Sequence, residues 1–533
     1  MKRAVILLCI IFCTALLIVS CGSEAPATSS EQTTAPIETT AKPLETTPAT
    51  QMTTAVLTTT APVVTTPAET TPGELSLLEP FRIVVPVSLY SDTELKGALS
   101  EMATAFEALG AEKPGISHDG ISEKTYEILV GETRRDVKLP EIGTFEWSVS
   151  VQGTKILLYA KNKQCLMDAV TYFVNTYLTG EEVNTVLSTD VAYMGKYDVG
   201  TSSKHNMTYA EMATSVWDSF NAEYWKSVWV PGNWFWDNAE TLEVYIDAYE
   251  QTKDEAIKTK MIKFADQFIR KWQKDFTWNE YNDDVMWICI AFSRITLLTG
   301  ETKYYDIAKA NFDAVYERAY DTKLGGGVYW RIENNTKNSC VNCPAAIAAC
   351  LIAELSGNED YYTKAKGLID WELKYMFEKN TGRVYDAYNI NGNINKWAST
   401  YNQGTFIGAC TLLYKHYKDK AYLTYADKAA EYAMTKLVTN GVLDNGENNG
   451  NDLPGFKGIL TRWLYRYAKE VEDVEILLFL QSNADAAFSN RNEEGLIWTN
   501  WHRQTPEDPA AEGHIVFSMT TAVALMYNCQ PWW

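Results

Sequence analysis

Two aspartates stand side by side at Asp283 and Asp284, inside Tyr281-Asn282-Asp283-Asp284-Val285-Met286-Trp287. They open an apolar run, Val285 to Leu298, that reads as a helix. Adjacent carboxylates repel and gain nothing structurally from each other. One explanation is that Asn282, Asp283 and Asp284 cap the helix, because acids favour its first turn. The other is chemical. Two carboxylates held roughly 5–5.5 Å apart among aromatic rings can attack a glycosidic carbon and protonate its leaving oxygen.

The elements that must position this pair form a repeat. From Asn206 onward the periodicity is helical nearly throughout. Gly300-Glu301-Thr302-Lys303-Tyr304-Tyr305-Asp306-Ile307-Ala308 matches Gly357-Asn358-Glu359-Asp360-Tyr361-Tyr362-Thr363-Lys364-Ala365, and more loosely Lys420-Ala421-Tyr422 through Ala426. Tyr304, Tyr361 and Tyr422 are 57 and 61 residues apart. Each unit runs into a glycine turn (Gly325-Gly326-Gly327-Val328-Tyr329, Gly382-Arg383-Val384-Tyr385, Gly441-Val442-Leu443), and a second helix follows. Such a period means stacked helical hairpins, five to six over this length. Closed into a ring, six make an (α/α)6 toroid. An open solenoid is the alternative, but its terminal units should be polar caps, and these are not. In a toroid the loops at one end of the inner helices wall a central cleft. Asp283-Asp284, Lys337 to Asn342 and Tyr401 to Gly404 each fall at the start of an expected inner helix.

Ahead of this all-α region (205–533) the pattern over 74–200 predicts a small α/β domain. Phe81 to Val85 and Tyr126 to Gly131 read as strands, and Thr93 to Leu109 as a helix. Trp147 to Val151 and Lys155 to Ala160 form a hairpin turned at Gly153-Thr154. Ala169 to Leu178 reads as a closing helix. Ile128-Leu129-Val130-Gly131-Glu132-Thr133-Arg134-Arg135 resembles the non-catalytic α/β domain that precedes the catalytic domain in hexosaminidase-like enzymes. The segment has no acid pair in a cleft motif, so a supporting or binding role is expected.

Residues 1–21 read as an export signal. Lys2 and Arg3 precede an apolar run from Ala4 to Val19, too short for a membrane span. Ile18-Val19-Ser20-Cys21 has the form of a bacterial lipobox, so Cys21 is the expected lipid site and the mature chain would sit tethered on the extracellular face of a membrane. Residues 22–73 are rich in Thr, Pro, Ala and Glu without an aromatic ring, a composition that cannot bury enough apolar surface to fold and acts as a linker. The net charge of −21 argues against nucleic acid or anionic membrane as partners, leaving the lipid as the only membrane contact. The 17 Trp and 31 Tyr suit a neutral saccharide, since their rings stack on the apolar faces of sugars. Cys340-Val341-Asn342-Cys343 has metal-knuckle spacing but no second ligand pair; it reads as a local disulfide or two free thiols, and neither a metal nor a cofactor is expected. Asp444-Asn445-Gly446-Glu447-Asn448 lacks the glycine and the terminal glutamate of a calcium loop and reads as a solvated turn.

Five motifs in order resemble glycoside hydrolase family 76, the endo-α-1,6-mannanases and their fungal cell-wall relatives. They are Asp283-Asp284 followed by Trp287; Gly325-Gly326-Gly327-Val328-Tyr329-Trp330; Lys337-Asn338-Ser339-Cys340-Val341-Asn342; Tyr401-Asn402-Gln403-Gly404; and Phe456-Lys457-Gly458 with Arg462. The resemblance implies an (α/α)6 barrel, Asp283 as nucleophile and Asp284 as general acid/base. The helix start would keep Asp283 ionised, and its charge together with burial would keep Asp284 protonated. Asn338, Asn342, Asn402 and Gln403 suit vicinal sugar hydroxyls. Trp287, Trp330 and Tyr401 are expected sugar contacts, with core packing as the other reading of Trp287. Lys457 is placed at the substrate, with pairing to acids of the last hairpins as its alternative, shared by Arg462. Where the family often carries a second tryptophan after Trp287, this chain has Ile288. The expected activity is endo-cleavage of α-1,6-mannan with retention; a mannan transglycosylase or a non-catalytic surface glycan-binding protein are the alternatives.

Overall fold

The computed structural model describes residues 73–179, 184–225, 234–444, 446–448, 452–508 and 516–532. The expected signal, Cys21, all of the linker but Gly73, and Asn445 lie outside them. The described residues fall within one compact unit, residues 66–533.

The N-terminal part is a sheet with two helices. A short ribbon pairs β1 (Glu74–Ser76) with β7 (Val186–Ser188). The main sheet contains β2 (Arg82–Val85), β3 (Gly115–His118), β4 (Glu127–Val130), β5 (Glu146–Gln152), β6 (Lys155–Ala160) and β8 (Ala192–Lys196), in the order β3-β2-β4-β6-β5-β8. The pairings β3·β2, β2·β4 and β4·β6 are parallel, while β5 runs antiparallel to both β6 and β8. Helix α1 (Thr93–Ala108) starts where Asp92 accepts the Leu95 N–H, an N-cap bond. Helix α2 is Lys163–Phe173 and continues as a π-turn to Leu178. It begins six residues before the expected Ala169 because Asn162 caps it, accepting the Cys165 N–H. β3 and β8 were not legible: Gly115-Ile116-Ser117-His118 and the largely exposed β8 lack a buried alternating face.

Twelve helices follow: α3 (Tyr209–Tyr224), α4 (Phe235–Thr252), α5 (Glu255–Trp272), α6 (Asn282–Thr299), α7 (Thr302–Ala319), α8 (Ser339–Ser356), α9 (Glu359–Tyr375), α10 (Thr400–Tyr417), α11 (Lys420–Lys436), α12 (Phe456–Val471), α13 (Val474–Ser489) and α14 (Val516–Tyr527). They form six pairs: five hairpins (α4–α5, α6–α7, α8–α9, α10–α11, α12–α13) and a sixth pair that joins α14 to α3 from the other end of the domain. The even-numbered helices are the inner ring, each packed on the next, and α14 packs on both α12 and α4, which closes it. The solenoid alternative therefore falls away. Inner helices bury nearly their whole surface, whereas outer ones such as α5 and α11 bury a single stripe.

The repeated sequence now has a physical origin. Inner helices α6 and α8 end on Gly300 and Gly357 in the left-handed conformation, which glycine adopts without penalty. The repeated Tyr304, Tyr361 and Tyr422 lie on the buried stripes of α7, α9 and α11. The α10–α12 contact is close enough that a Cβ on Gly404 would stand 2.7 Å from Leu460 Cα. Inside the ring, Arg462 Nε donates to Asp247 Oδ2 (2.7 Å) and Nη1 to Glu240 Oε2 (2.7 Å), both on α4. Arg462 thus ties α12 to the first inner helix rather than to acids of the last hairpins.

Candidate active site

The inner helices α4, α6, α8, α10 and α12 present their N-terminal ends to one cavity of about 570 Å³. Trp234 and Trp236 wall it from the start of α4, Tyr281, Asp283, Asp284 and Trp287 from α6, and Trp330, Asn338 and Cys340 from the approach to α8. Asp386 and Tyr401 stand on the α10 side, Asp452 and Phe456 on the α12 side. The acid pair is therefore at the mouth of the ring, as the repeat placed it.

Helix α6 starts at Asn282 with Tyr281 as N-cap and no cap bond from its side chain, and both aspartates lie in its first turn. Asn282 instead anchors the glycine turn: its N–H donates to the Trp330 carbonyl (2.8 Å), its Nδ2 to the Tyr329 carbonyl (2.8 Å), and its Oδ1 accepts from Arg318 Nε (2.8 Å). Asp283 is 9% exposed, and its Oδ1 is buried without a hydrogen-bond partner. Asp284 Oδ2 accepts from Asn279 Nδ2 at 2.9 Å.

Burial pushes the Asp283 carboxyl above the usual carboxylate range, an effect that the Trp330 indole N–H, the Cys340 thiol and the helix-start amides partly offset. The helix start alone does not keep it ionised, contrary to the expectation. Asp284 is pushed up by burial and then by the charge of Asp283, while the Asn279 bond favours its ionised form. The two titrate as a coupled pair in which Asp284 holds its proton more strongly. Burial also raises Asp386, whose carboxylate accepts from Asn395 Nδ2 at 2.8 Å, and Asp452. Among the described residues lining the cavity none is a lysine or arginine. An acid-lined, aromatic cavity of this kind suits a transition state that develops positive charge at a sugar ring.

Of the residues predicted to touch substrate, Trp287, Trp330, Asn338 and Tyr401 line the cavity. Trp287 is also core: 1% exposed, with its ring 6.1 Å from Trp236 and 6.3 Å from Tyr401. Tyr401 stacks on Phe456 at 3.7 Å. Asn338 precedes α8 and leaves its buried Oδ1 without a partner.

Four predicted contacts are elsewhere. Asn342 is fully buried; its Oδ1 accepts the Val328 N–H (2.8 Å) and its Nδ2 donates to the Val328 and Asn338 carbonyls, so it clamps the glycine turn. Gln403 does the same for the next turn, accepting from Val384 N–H and donating to the Gly382 and Ala429 carbonyls (3.0 Å each). Asn402 is fully buried, and neither atom of its side-chain amide has a hydrogen-bond partner. Lys457 donates to Asn448 Oδ1 (2.9 Å) and the Thr499 carbonyl (2.7 Å) and is wholly buried, which pushes its ammonium down to about 8 despite Glu447 and Asp444 nearby. Polar groups at inner-helix starts serve turns as readily as substrates: turns took Asn342 and Gln403, and the 446–448 and Thr499 loops took Lys457.

Lys337 is a further clamp. Its Nζ donates to Asp321 Oδ1 (2.6 Å) and to the Lys323 and Gly326 carbonyls (2.8 Å each). Glu447 is fully buried and accepts the Thr400 N–H at 2.8 Å, so it straps the start of α10 instead of standing in a solvated turn. Cys340 and Cys343 are free, buried thiols. Trp234, Trp236, Cys340, Asp386, Asp452 and Phe456 were not foreseen as lining residues. Trp234-Phe235-Trp236 carried a signal as an aromatic cluster opening a helix, whereas Asp386 and Asp452 are single acids in loops and carried none.

Residues 201–530 match the model of glycosyl hydrolase family 76. A mannan endo-1,6-alpha-mannosidase of Candida albicans is 26% identical over 221 residues, 37% of this chain and 49% of that protein, so the chain spans about half the length of this curated relative. The α-1,6-mannanase GH76A of Salegentibacter sp. HEL1_6 has a similar structure, with TM-score 0.55 and 29% identity over 60% of this chain and 98% of its own. An inactive variant of that mannanase, with two consecutive aspartates changed to asparagine, was solved in complex with α-1,6-mannotriose and matches with the same score, identity and coverage. With a toroid whose inner helices converge on an aspartate pair and a family match over most of its length, this chain belongs to glycoside hydrolase family 76.

Proposed function

We propose that this chain is an endo-acting α-1,6-mannanase that works by double displacement with retention. The observation that carries the reading is the aspartate pair in the wall of an aromatic cavity, with a buried Asp283 Oδ1 left without a partner and Asp284 Oδ2 held by Asn279. The Asp283 carboxylate attacks the anomeric carbon while Asp284 gives its proton to the departing glycosidic oxygen, leaving a glycosyl ester on Asp283. Asp284, now a carboxylate, takes a proton from water; the resulting hydroxide attacks the same carbon and frees Asp283. The mannotriose bound by the related mannanase supports α-1,6-mannan as the substrate. The lipobox at Cys21 supports an anchored protein on the extracellular face of a bacterial membrane.

Incubation with unbranched α-1,6-mannan tests the reading. It expects a ladder of oligomers whose first-formed ends keep the α configuration. Release of mannose alone, or of β anomers, would overturn the endo and retaining parts respectively.

A further inference from the structure

Among the described tryptophans three are exposed: Trp234 at 51%, Trp278 at 55% and Trp397 at 37%. Leaving half an indole in water forgoes hydrophobic free energy, so each position asks for a reason. All three stand just before inner helices. Trp234 precedes α4 and lines the cavity. Trp278 precedes α6, and its neighbour Asn279 is the residue bonded to Asp284. The Trp278 ring lies nearly parallel to Trp272 at the end of α5 (5.5 Å, 24°) and meets Phe235 of α4 edge-on at 5.6 Å, which sets it where α4, α5 and the approach to α6 meet, at the end of the ring that carries the cavity. Trp397 precedes α10, with its ring 6.5 Å from Phe456 of the cavity wall. In the closed inner ring α4-α6-α8-α10-α12-α14, the helix opposite α4 is α10. Trp397 therefore stands across the cavity mouth from the Trp234–Trp278 side.

We propose that Trp278 and Trp397 are sugar-stacking platforms on opposite rims, holding the mannan chain on the two sides of the bond being cleaved. This rests on the activity proposed above and deepens it. A pyranose ring has an apolar C–H face that stacks on indole, and stacking reads no hydroxyl pattern, so it suits successive residues of one polymer. Among the described residues the cavity between the platforms holds no lysine or arginine, so it offers an anionic sugar no counter-charge and suits a neutral chain. A polymer resting on both rims crosses the acid pair mid-chain. That geometry selects internal linkages over chain ends.

The test uses the full chain with α-1,6-mannooligosaccharides of increasing length and the polymer, comparing wild type with Trp278→Ala, Trp397→Ala and Trp278→Phe. Wild-type kcat/KM should climb with length until the chain reaches both platforms. Each alanine variant should lose about tenfold on the polymer, a typical cost of removing an anchoring tryptophan, mainly through KM. Each should also keep the wild-type rate on the shortest oligosaccharide cleaved. Trp278→Phe, which retains a ring, should recover most of the loss. Thermal unfolding of each variant checks that Trp278→Ala has not disturbed the Trp272 stack. Unchanged length dependence in both alanine variants, or equal losses on short and long substrates, overturns the platforms while the activity stands. A wild type that cleaves no α-1,6-mannoside overturns the activity itself, and the platforms with it.

Discussion

Asn279 Nδ2 donates a 2.9 Å hydrogen bond to Asp284 Oδ2, while Asp283, one residue earlier, keeps a buried Oδ1 with no partner. Asn279 is itself held, because its Oδ1 accepts the Tyr281 N–H at 2.9 Å. Its bond favours the ionised form of Asp284 against burial and the charge of Asp283. Asn279→Ala should raise Asp284 further. The rate falls at high pH when Asp284 loses its proton, so the alkaline limb of the kcat/KM profile should move to higher pH. The rate should fall about tenfold, because the Asp284 carboxylate formed in the first step loses a charge-assisted bond. A profile with an unmoved alkaline limb would separate Asn279 from the proton carrier.

The two aspartates should fail differently. Asp283→Asn removes the nucleophile and should abolish turnover on every mannoside. Asp284→Asn removes the proton donor and should cost on the order of 10²–10⁴ on mannan. On an aryl mannoside whose leaving group needs no proton, the Asp284→Asn variant should form the glycosyl-enzyme at close to the wild-type rate, and added azide should speed its breakdown. Azide rescue of Asp283→Asn instead would reverse the assignment.

Residues that line the cavity and residues that clamp its turns should also separate. Asn338→Ala removes a cavity-lining amide whose Oδ1 lacks a protein partner. It should raise KM about tenfold with little change in stability, the size of one lost hydrogen bond to substrate. Gln403→Ala strands the Gly382 and Ala429 carbonyls and the Val384 N–H. It should lower unfolding free energy by about 2–4 kcal/mol and leave KM alone. Urea unfolding beside steady-state kinetics reads both.

That contrast marks what the sequence could tell. The ring was legible because its physics repeats: a left-handed glycine at Gly300 and Gly357, then a tyrosine on the buried stripe of the next helix. The acid pair was legible because two adjacent carboxylates at an apolar helix need a reason. The division of the other polar residues was not. Asn338 and Asn342 are four apart on the same helix start, yet one faces the cavity and the other the glycine turn. Which way each points depends on where the preceding loop runs, and that is set by the Lys337 and Asn282 clamps rather than by local spacing. Asp386 and Asp452 reach the cavity on loops from distant hairpins, a convergence that only closure of the ring creates.

Ser339 Oγ lies 2.7 Å from the Tyr385 carbonyl and 2.9 Å from Glu372 Oε2. A hydroxyl has one proton and a carbonyl has none to give, so that proton goes to Tyr385. Glu372 must then be the donor to Ser339, which requires it to be protonated. Burial agrees: Glu372 is fully buried, which pushes its carboxyl up to about 8. In the unfolded chain the same group titrates near 4.3. The folded state binds this proton more tightly, so its contribution is complete below about pH 4 and is lost as pH climbs toward 8. Glu372→Gln keeps an N–H donor to Ser339 and does not titrate. It should therefore unfold at higher urea than wild type at pH 7, by about 1–3 kcal/mol, and the two should converge near pH 4. A difference between them that stays constant from pH 4 to pH 8 would mean that Glu372 is ionised in the folded protein.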